Sequence, residues 1–222
     1  MNWIPYGPGA LLFQFAEELG DAAFDKGRAI ASELENHPPP GITEFVPAFT
    51  TVLLEFDLSQ VPDPARIAPA VAARLEAVTS ENVPPAPIKE IPVVYDGPDL
   101  ARVAEHNSLS TAEVCEMHSA TVYKVYMLGF SPGFPYLGDL DPRLHTPRLA
   151  SPRTRVAAGS VAIGGEHTGI YSVESPGGWN IIGRTPLRIF DPDRAKARAR
   201  PEVIFYLRHG DRVRFVVVKR NA

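Results

Sequence analysis

The chain offers little for sulfur chemistry, for strong electrostatic attraction or for membrane insertion. Its 222 residues include one cysteine, Cys115, so an internal disulfide framework is excluded and a reducing cytosol suits the protein. No apolar run reaches the roughly 18 residues needed to span a bilayer. The opening stretch MNWIPYGPGALLFQF has no basic region and is broken by prolines, so it does not read as a signal peptide. The net charge of −4 leaves no electrostatic case for nucleic acid or an anionic membrane. A soluble, cytoplasmic protein is expected. Neither a G-x-x-x-x-G-K-[ST] loop nor a G-x-G-x-x-G fingerprint occurs, so the chain has no recognisable nucleotide cradle. His37, His106, His118, His145, His167 and His209 show no i, i+4 pairing and no Cys/His spacing, so no metal site is expected.

Proline is abundant. The 23 prolines are scattered singly among apolar and glycine-containing stretches, a pattern of turns between short strands and not of disorder. Hydrophobic residues make up 45% and charged residues 22%, which suits a soluble globular protein with a sizeable core. The first part of the chain alternates strands and helices. Leu11, Phe13 and Phe15 alternate as a strand, and Asp21 is placed to cap a helix carrying Phe24, Gly27, Ile30, Ala31 and Leu34 on one face. His37-Pro38-Pro39-Pro40 stops that helix. Ile42 to Val46 is a weak strand, and Val52, Leu54, Phe56 and Leu58 form a clear one. Asp63-Pro64 opens a second helix with Ile67, Val71, Leu75 and Val78, which Pro69 should kink or delay. With Ile91, Val93 and Tyr95 as a last strand, the order is βαββαβ, a ferredoxin-like split.

Ser110 and Glu113 then form a capping box, with Leu109 and Val114 as its staple, opening a helix to about Ser119. Beyond it come short strand-like runs: Val122 to Leu128, Ser160 to Ile163, Gly169 to Val173, Asn180 to Ile182, Leu187 to Phe190, Val203 to Leu207 and Val213 to Val218. Gly and Pro turns separate most of them, which points to an all-β barrel or sandwich. The expected organisation is α+β, with an α+β domain over residues 1–88 and a β domain over residues 89–222.

Gly129-Phe130-Ser131-Pro132-Gly133 matches G-x-S-x-G, yet it fails as a nucleophile elbow. The elbow needs a helix after the serine and the N–H of the next residue for its oxyanion hole; Pro132 has no N–H, and FPYLGDLDP does not read as a helix. A rigid Pro/Gly loop is the better reading. The basic run Arg194, Lys196, Arg198, Arg200 lies beside Asp191 and Asp193 and reads as a solvated face.

What remains is a dense polar set: GFSPGFPYLGDL (Gly129 to Leu140), TPRLASPR (Thr146 to Arg153), VAAGSVAIGG (Val156 to Gly165) and TGIYSVESPGGWNIIGRTP (Thr168 to Pro186). Glycine pairs let backbone N–H groups approach an anion. Pro147-Arg148 and Pro152-Arg153 hold two guanidinium forks on stiff supports, suited to carboxylate or phosphate. Phe130, Phe134, Tyr136, Tyr171 and Trp179 can supply apolar walls. The same glycines, prolines and aromatics could equally serve barrel corners and a barrel core.

These blocks, with IPVVYDGPDL (Ile91 to Leu100), HSATVYKVYMLGF (His118 to Phe130) and GDRVRF (Gly210 to Phe215), resemble the allophanate hydrolase subunit 1 family, which also takes in the B-type subunits of 5-oxoprolinase and sporulation-kinase inhibitors. The pairing of PGFPYL with SPGGWNIIGRTP is the most specific part. Ala157 stands where the pattern usually has proline and His167 where glutamine is usual, and Pro192 to Pro201 is longer and more basic than typical. The resemblance implies a ferredoxin-like domain followed by a cyclophilin-like β-barrel. It also implies a partner of the allophanate hydrolase subunit 2 type, with a related barrel, and a lactam-cleaving A-type subunit, the set hydrolysing 5-oxo-L-proline to L-glutamate with ATP. In that frame Arg148, Arg153 and Arg184 are the expected carboxylate or phosphate ligands, and the Gly177 and Gly178 amides oxyanion donors. His118, Tyr171 and Ser175 are candidates for proton transfer, and Phe130, Pro132, Gly133, Phe134, Tyr136 and Trp179 form the motif and pocket set. The family names also leave open inhibition of a sensor histidine kinase or a urea-carboxylase-related role.

Overall fold

The chain folds as mixed α/β, mostly antiparallel sheet with few helices. The computed structural model describes residues 1–81 and 83–219. Two units separate, Met1–Pro85 and a second beginning at Ala86.

In the first unit, strands β1 (Asn2–Pro5) and β2 (Ala10–Gln14) precede helix α1 (Asp21–Asn36), and β3 (Ile42–Ala48) and β4 (Thr51–Phe56) precede α2 (Ala68–Ala77). The sheet runs β1-β2-β4-β3, antiparallel throughout. Leu11 and Phe13 on β2, with Val52, Leu54 and Phe56 on β4, alternate into a core shared with Ile30 and Leu34 of α1 and Val71 and Leu75 of α2. Asp21 is the first residue of α1; Gly20 takes the cap position and no side chain caps it. Pro69 delays α2, leaving a single 3-10 turn over Pro64–Arg66 before the helix proper. The βαββαβ expectation is corrected here. The strand beside β2 comes from the start of the chain, while the segment read as the closing strand lies in the second unit.

That segment is β5 (Ile88–Val93), followed by α3 (Leu100–His106), α4 (Thr111–Ala120), β6 (Val122–Leu128), β7 (Pro135–Gly138), β8 (Arg153–Val156), β9 (Ser160–Gly164), β10 (His167–Ile170), β11 (Ser175–Gly177), β12 (Asn180–Arg184), α5 (Pro192–Lys196), α6 (Pro201–Ile204) and β13 (Arg212–Val217). β5 lies parallel to β13, which joins the antiparallel ladder β6-β7-β10-β9-β12 through β6. The ladder then returns on itself: Val94, just past β5, exchanges both backbone hydrogen bonds with Arg184 at the end of β12, each 2.9 Å. Closure removes the free edges that an open sheet would expose. Inside sit Ile91, Val93, Tyr123, Val125, Leu137, Val161, Ile163, Ile170, Ile182, Val213 and Phe215.

The capping box at α4 is formed, with the Glu113 N–H donating to Ser110 Oγ at 3.2 Å and the Ser110 N–H to Glu113 Oε2 at 2.7 Å. Two expected strands are not formed. Leu187 to Phe190 and Val203 to Leu207 meet only through a Phe190–Phe205 bridge, because Pro192 and Pro201 open short helices there. Conversely, the Pro-rich FPYLG stretch contains β7, whose proline takes the first strand position, where no ladder N–H is missed. Among the described residues no helix is long and apolar enough to cross a membrane.

Candidate functional site

The closed sheet of the second unit has an outer face as well as a core, and period-2 alternation separates them. On β9, Val161 and Ile163 point into the core, while Ala162 joins a second cluster with Phe134, Val156, Tyr171 and Trp179. On β12, Ile182 faces the core and Ile181 packs against that second cluster. The outward positions Ala162 and Gly164 of β9 and Gly169 of β10 are small, and the aromatic rings lie on them. A Cβ at Gly164 would fall 2.4 Å from the Trp179 ring, and one at Gly169 would meet Pro135 O, Phe134 and Trp179. A Cβ at Gly177 would stand 2.0 Å from the Tyr171 hydroxyl oxygen. Gly164 and Gly177 are therefore required by close approach of rings to backbone.

Phe134 is the hub of the cluster. Its ring meets Phe130, Tyr136, Tyr171 and Trp179 edge to face, with centroids 5.2–5.6 Å apart, the arrangement aromatic quadrupoles favour. Phe130 is 63% exposed and sits at a φ of 68°, an unusual conformation for a bulky residue. These rings, with Arg148, Leu149, Pro152, Pro176, Gly177 and Gly178, line a cavity of about 370 Å³, at the lower end of the ~300–1,000 Å³ typical of small-molecule sites.

Among the described residues, Arg148 is the only charged one in that lining. Its guanidinium carbon stands 5.7 Å from the Trp179 ring centroid, a cation–π contact, and among the described residues it forms no ion pair. The loop that carries it is pinned on both sides. Thr146 and Gly165 exchange backbone hydrogen bonds, and the Leu149 N–H donates to Gly178 O at 2.7 Å. Asn180, fully buried, donates from Nδ2 to Pro147 O and to Ile163 O, both at 3.0 Å, and accepts from Arg102 Nε at 2.9 Å. Burial raises the Tyr171 hydroxyl above its ordinary value, opposed by the Trp179 backbone N–H and by Arg148 and Arg153. It is a protonated donor at neutral pH.

Eight of the residues singled out from sequence thus line one cavity: Phe130, Phe134, Tyr136, Arg148, Tyr171, Gly177, Gly178 and Trp179. Six others lie elsewhere. Pro132 and Gly133 shape the preceding loop, where Pro132 O accepts from Ser172 Oγ at 2.6 Å and Gly133 has a φ of 72°. Arg153 donates from Nη2 to Asp99 at 2.7 Å, and Asp99 also accepts the Ile181 N–H at 2.7 Å. Arg184 pairs with Asp96 at 3.0 Å on the surface. Ser175 precedes the lining residue Pro176, and its Oγ is buried with no hydrogen-bond partner among the described residues. His118 is fully buried in the core, with Nδ1 2.7 Å from the Tyr95 hydroxyl and Nε2 2.8 Å from Thr168 Oγ1. It stacks on Phe215 at 4.5 Å, and burial pushes its pKa down to about 3. The lining residues Leu149 and Pro176 were not singled out from sequence, although they lie inside the TPRLASPR and SPGGW blocks, and Pro152 was read only as a support for Arg153. Asp96 and Asp99, which occupy two of the three arginines, were likewise visible in YDGPDL.

The second unit is thus a closed sheet with an aromatic, singly cationic cavity on its outer face. The chain belongs to the family of 5-oxoprolinase B-type subunits: residues 1–199 match the family model described as carboxyltransferase domain, subdomain C and D. The chain is 40% identical to the 5-oxoprolinase B-type subunit of Bacillus subtilis, over 97% of this chain and 92% of that protein. It is 47% identical to the 5-oxoprolinase B-type subunit of Escherichia coli O157:H7, over 82% of this chain and 81% of that protein. Among solved structures, TTHA0988 superimposes with a TM-score of 0.82 at 38% identity. That match covers 96% of this chain but only 41% of the TTHA0988 chain.

Proposed function

We propose that this chain is the B-type subunit of a cytoplasmic, ATP-dependent 5-oxoprolinase, inactive alone and working with a subunit-2-type barrel partner and a lactam-cleaving A-type subunit. What carries the reading is similarity along nearly the whole chain to relatives of that name, together with a preorganised cavity built from the family's own blocks. The fold assignment that goes with it is a ferredoxin-like first unit, its edge strand supplied from the front of the chain, and a cyclophilin-like barrel as the second.

The reaction opens a five-membered lactam. Water adds at the ring carbonyl, the C–N bond breaks, and the amine and second carboxylate of glutamate appear. An unactivated amide carbonyl is a poor electrophile. Transfer of the terminal phosphoryl of ATP to its oxygen, with release of ADP, makes that carbon electrophilic. Water adds there, the C–N bond breaks to give the amine and an acyl phosphate, and a second water releases phosphate to leave the carboxylate. Donors aimed at the developing charge lower such a barrier; the Tyr171 hydroxyl and the Gly177 and Gly178 amides are the groups of this chain proposed to serve there. Ser175 is proposed to orient them, and His118, Arg153 and Arg184 to hold the scaffold.

The test is reconstitution. The three subunits are co-expressed and ATP-dependent glutamate release from 5-oxo-L-proline is measured with and without this chain. Activity that requires the chain is expected; full activity in its absence overturns the proposal. The carboxyltransferase description of the family favours a second reading, carboxyl transfer to a urea-type amide. That reading requires a biotin-bearing partner, and co-purification of a biotinylated protein in place of the lactam-cleaving component would support it.

A further inference from the structure

Resting on the oxoprolinase reading, we infer that the aromatic cavity holds the lactam ring itself, with Arg148 gripping the ring carboxylate, and that ATP is held by another subunit, which brings its terminal phosphoryl to the ring carbonyl. 5-Oxoproline is a flat, neutral ring bearing one carboxylate. The cavity is a near match in chemistry: five rings (Phe130, Phe134, Tyr136, Tyr171, Trp179) and two prolines as walls, and one cation. Arg148 is supported by the Trp179 face and pairs with no carboxylate among the described residues, so its fork is available for a bidentate contact. Its loop is already fixed by Asn180 and by the Leu149–Gly178 bond, so little ordering is needed on binding. A nucleoside triphosphate fits poorly. Its phosphates need several cations or a nest of N–H groups, whereas this cavity presents one guanidinium in a lining otherwise mostly of rings, prolines and leucine. Arg153 and Arg184, the other two candidate cations, are held by Asp99 and Asp96.

Arg148 is therefore a specificity-determining residue that recognises the carboxylate. The reconstituted complex is assayed with wild-type chain, Arg148→Met and Arg148→Lys, varying 5-oxo-L-proline and ATP separately. Calorimetry of the same complexes compares 5-oxo-L-proline with 2-pyrrolidinone, which lacks the carboxylate. For Arg148→Met the KM for 5-oxo-L-proline is expected to rise about tenfold or more, as when a charge-assisted bond is lost, with the KM for ATP unchanged. The wild type is expected to prefer 5-oxo-L-proline over 2-pyrrolidinone, and Arg148→Met to lose that preference. Arg148→Lys, which keeps the charge without the planar fork, should fall between. An unchanged lactam KM, or a rise confined to the ATP KM, overturns the inference while leaving the oxoprolinase reading intact. A wild-type complex with neither activity nor 5-oxo-L-proline binding overturns both.

Discussion

Two clusters in the second unit are built from the same materials, and they differ in what they leave unfinished. Around His118, a ring nitrogen meets the Tyr95 hydroxyl, the other meets Thr168, and Phe215 and Tyr123 close the faces. Every polar atom of the imidazole has a partner and none reaches water. Around Trp179 the rings are packed as closely, but the cluster opens to a cavity, and its one cation meets a ring and, among the described residues, no carboxylate. A buried polar group that is satisfied holds a fold together. A charge left unpaired beside open apolar walls is prepared for something outside the chain. By this criterion His118, attractive as a general base in sequence, is a core residue, and Arg148 is the residue proposed to face the ligand.

Four substitutions or conditions sharpen the contrast. The largest effect is expected from His118→Ala, which opens a core cavity and strips the Tyr95 hydroxyl of its partner. Chemical denaturation should show a loss of about 3 kcal/mol or more, while lactam affinity per folded molecule stays unchanged. A selective loss of kcat with full stability would instead make His118 a catalytic group. Gly177→Ala drives a methyl against the Tyr171 hydroxyl. It should destabilise by about 1–3 kcal/mol and also weaken 5-oxo-L-proline binding in calorimetry, the two effects together marking the cavity wall.

Acid should act on the closed cluster through His118. The unfolded chain takes up a proton at His118 near the ordinary value of 6.5, whereas the folded chain does so only at about 3. Protons therefore favour the unfolded state in that window, and stability from this group is complete above 6.5 and falls as the pH drops toward 3. The slope is at most about 1.4 kcal/mol per pH unit, and urea titrations across that range should show it reduced in His118→Gln. The smallest effect is expected at the surface. Arg184 is 53% exposed where it pairs with Asp96, so Asp96→Ala should change stability by about 0–1 kcal/mol and leave the lactam KM unaltered. A large KM change would return Arg184 to the ligand site.

Much of this was legible in the residues. The alternation of Leu11 with Phe13 and of Val52 with Leu54 and Phe56, the Ser110–Glu113 box and the delaying effect of Pro69 are local, and each appears in the structure. The partner of Ile88–Val93 was not legible, because choosing between two sheets is a question of long-range pairing that periodicity cannot answer. The short strands β7, β8 and β11 were hidden by the prolines and glycines around them. In the site, the aromatic and glycine blocks converge as their density suggested. The separation of three equivalent-looking arginines into one open and two occupied depended on Asp96 and Asp99, more than fifty residues earlier than either partner in the chain.

The most direct measurement is a crystal structure of the reconstituted complex with 5-oxo-L-proline bound. The account predicts the lactam ring between Trp179, Phe134 and Tyr171, with its carboxylate on the Arg148 guanidinium and the environment of His118 unchanged. A lactam bound away from this cavity, or a nucleotide phosphate on Arg148, would contradict it.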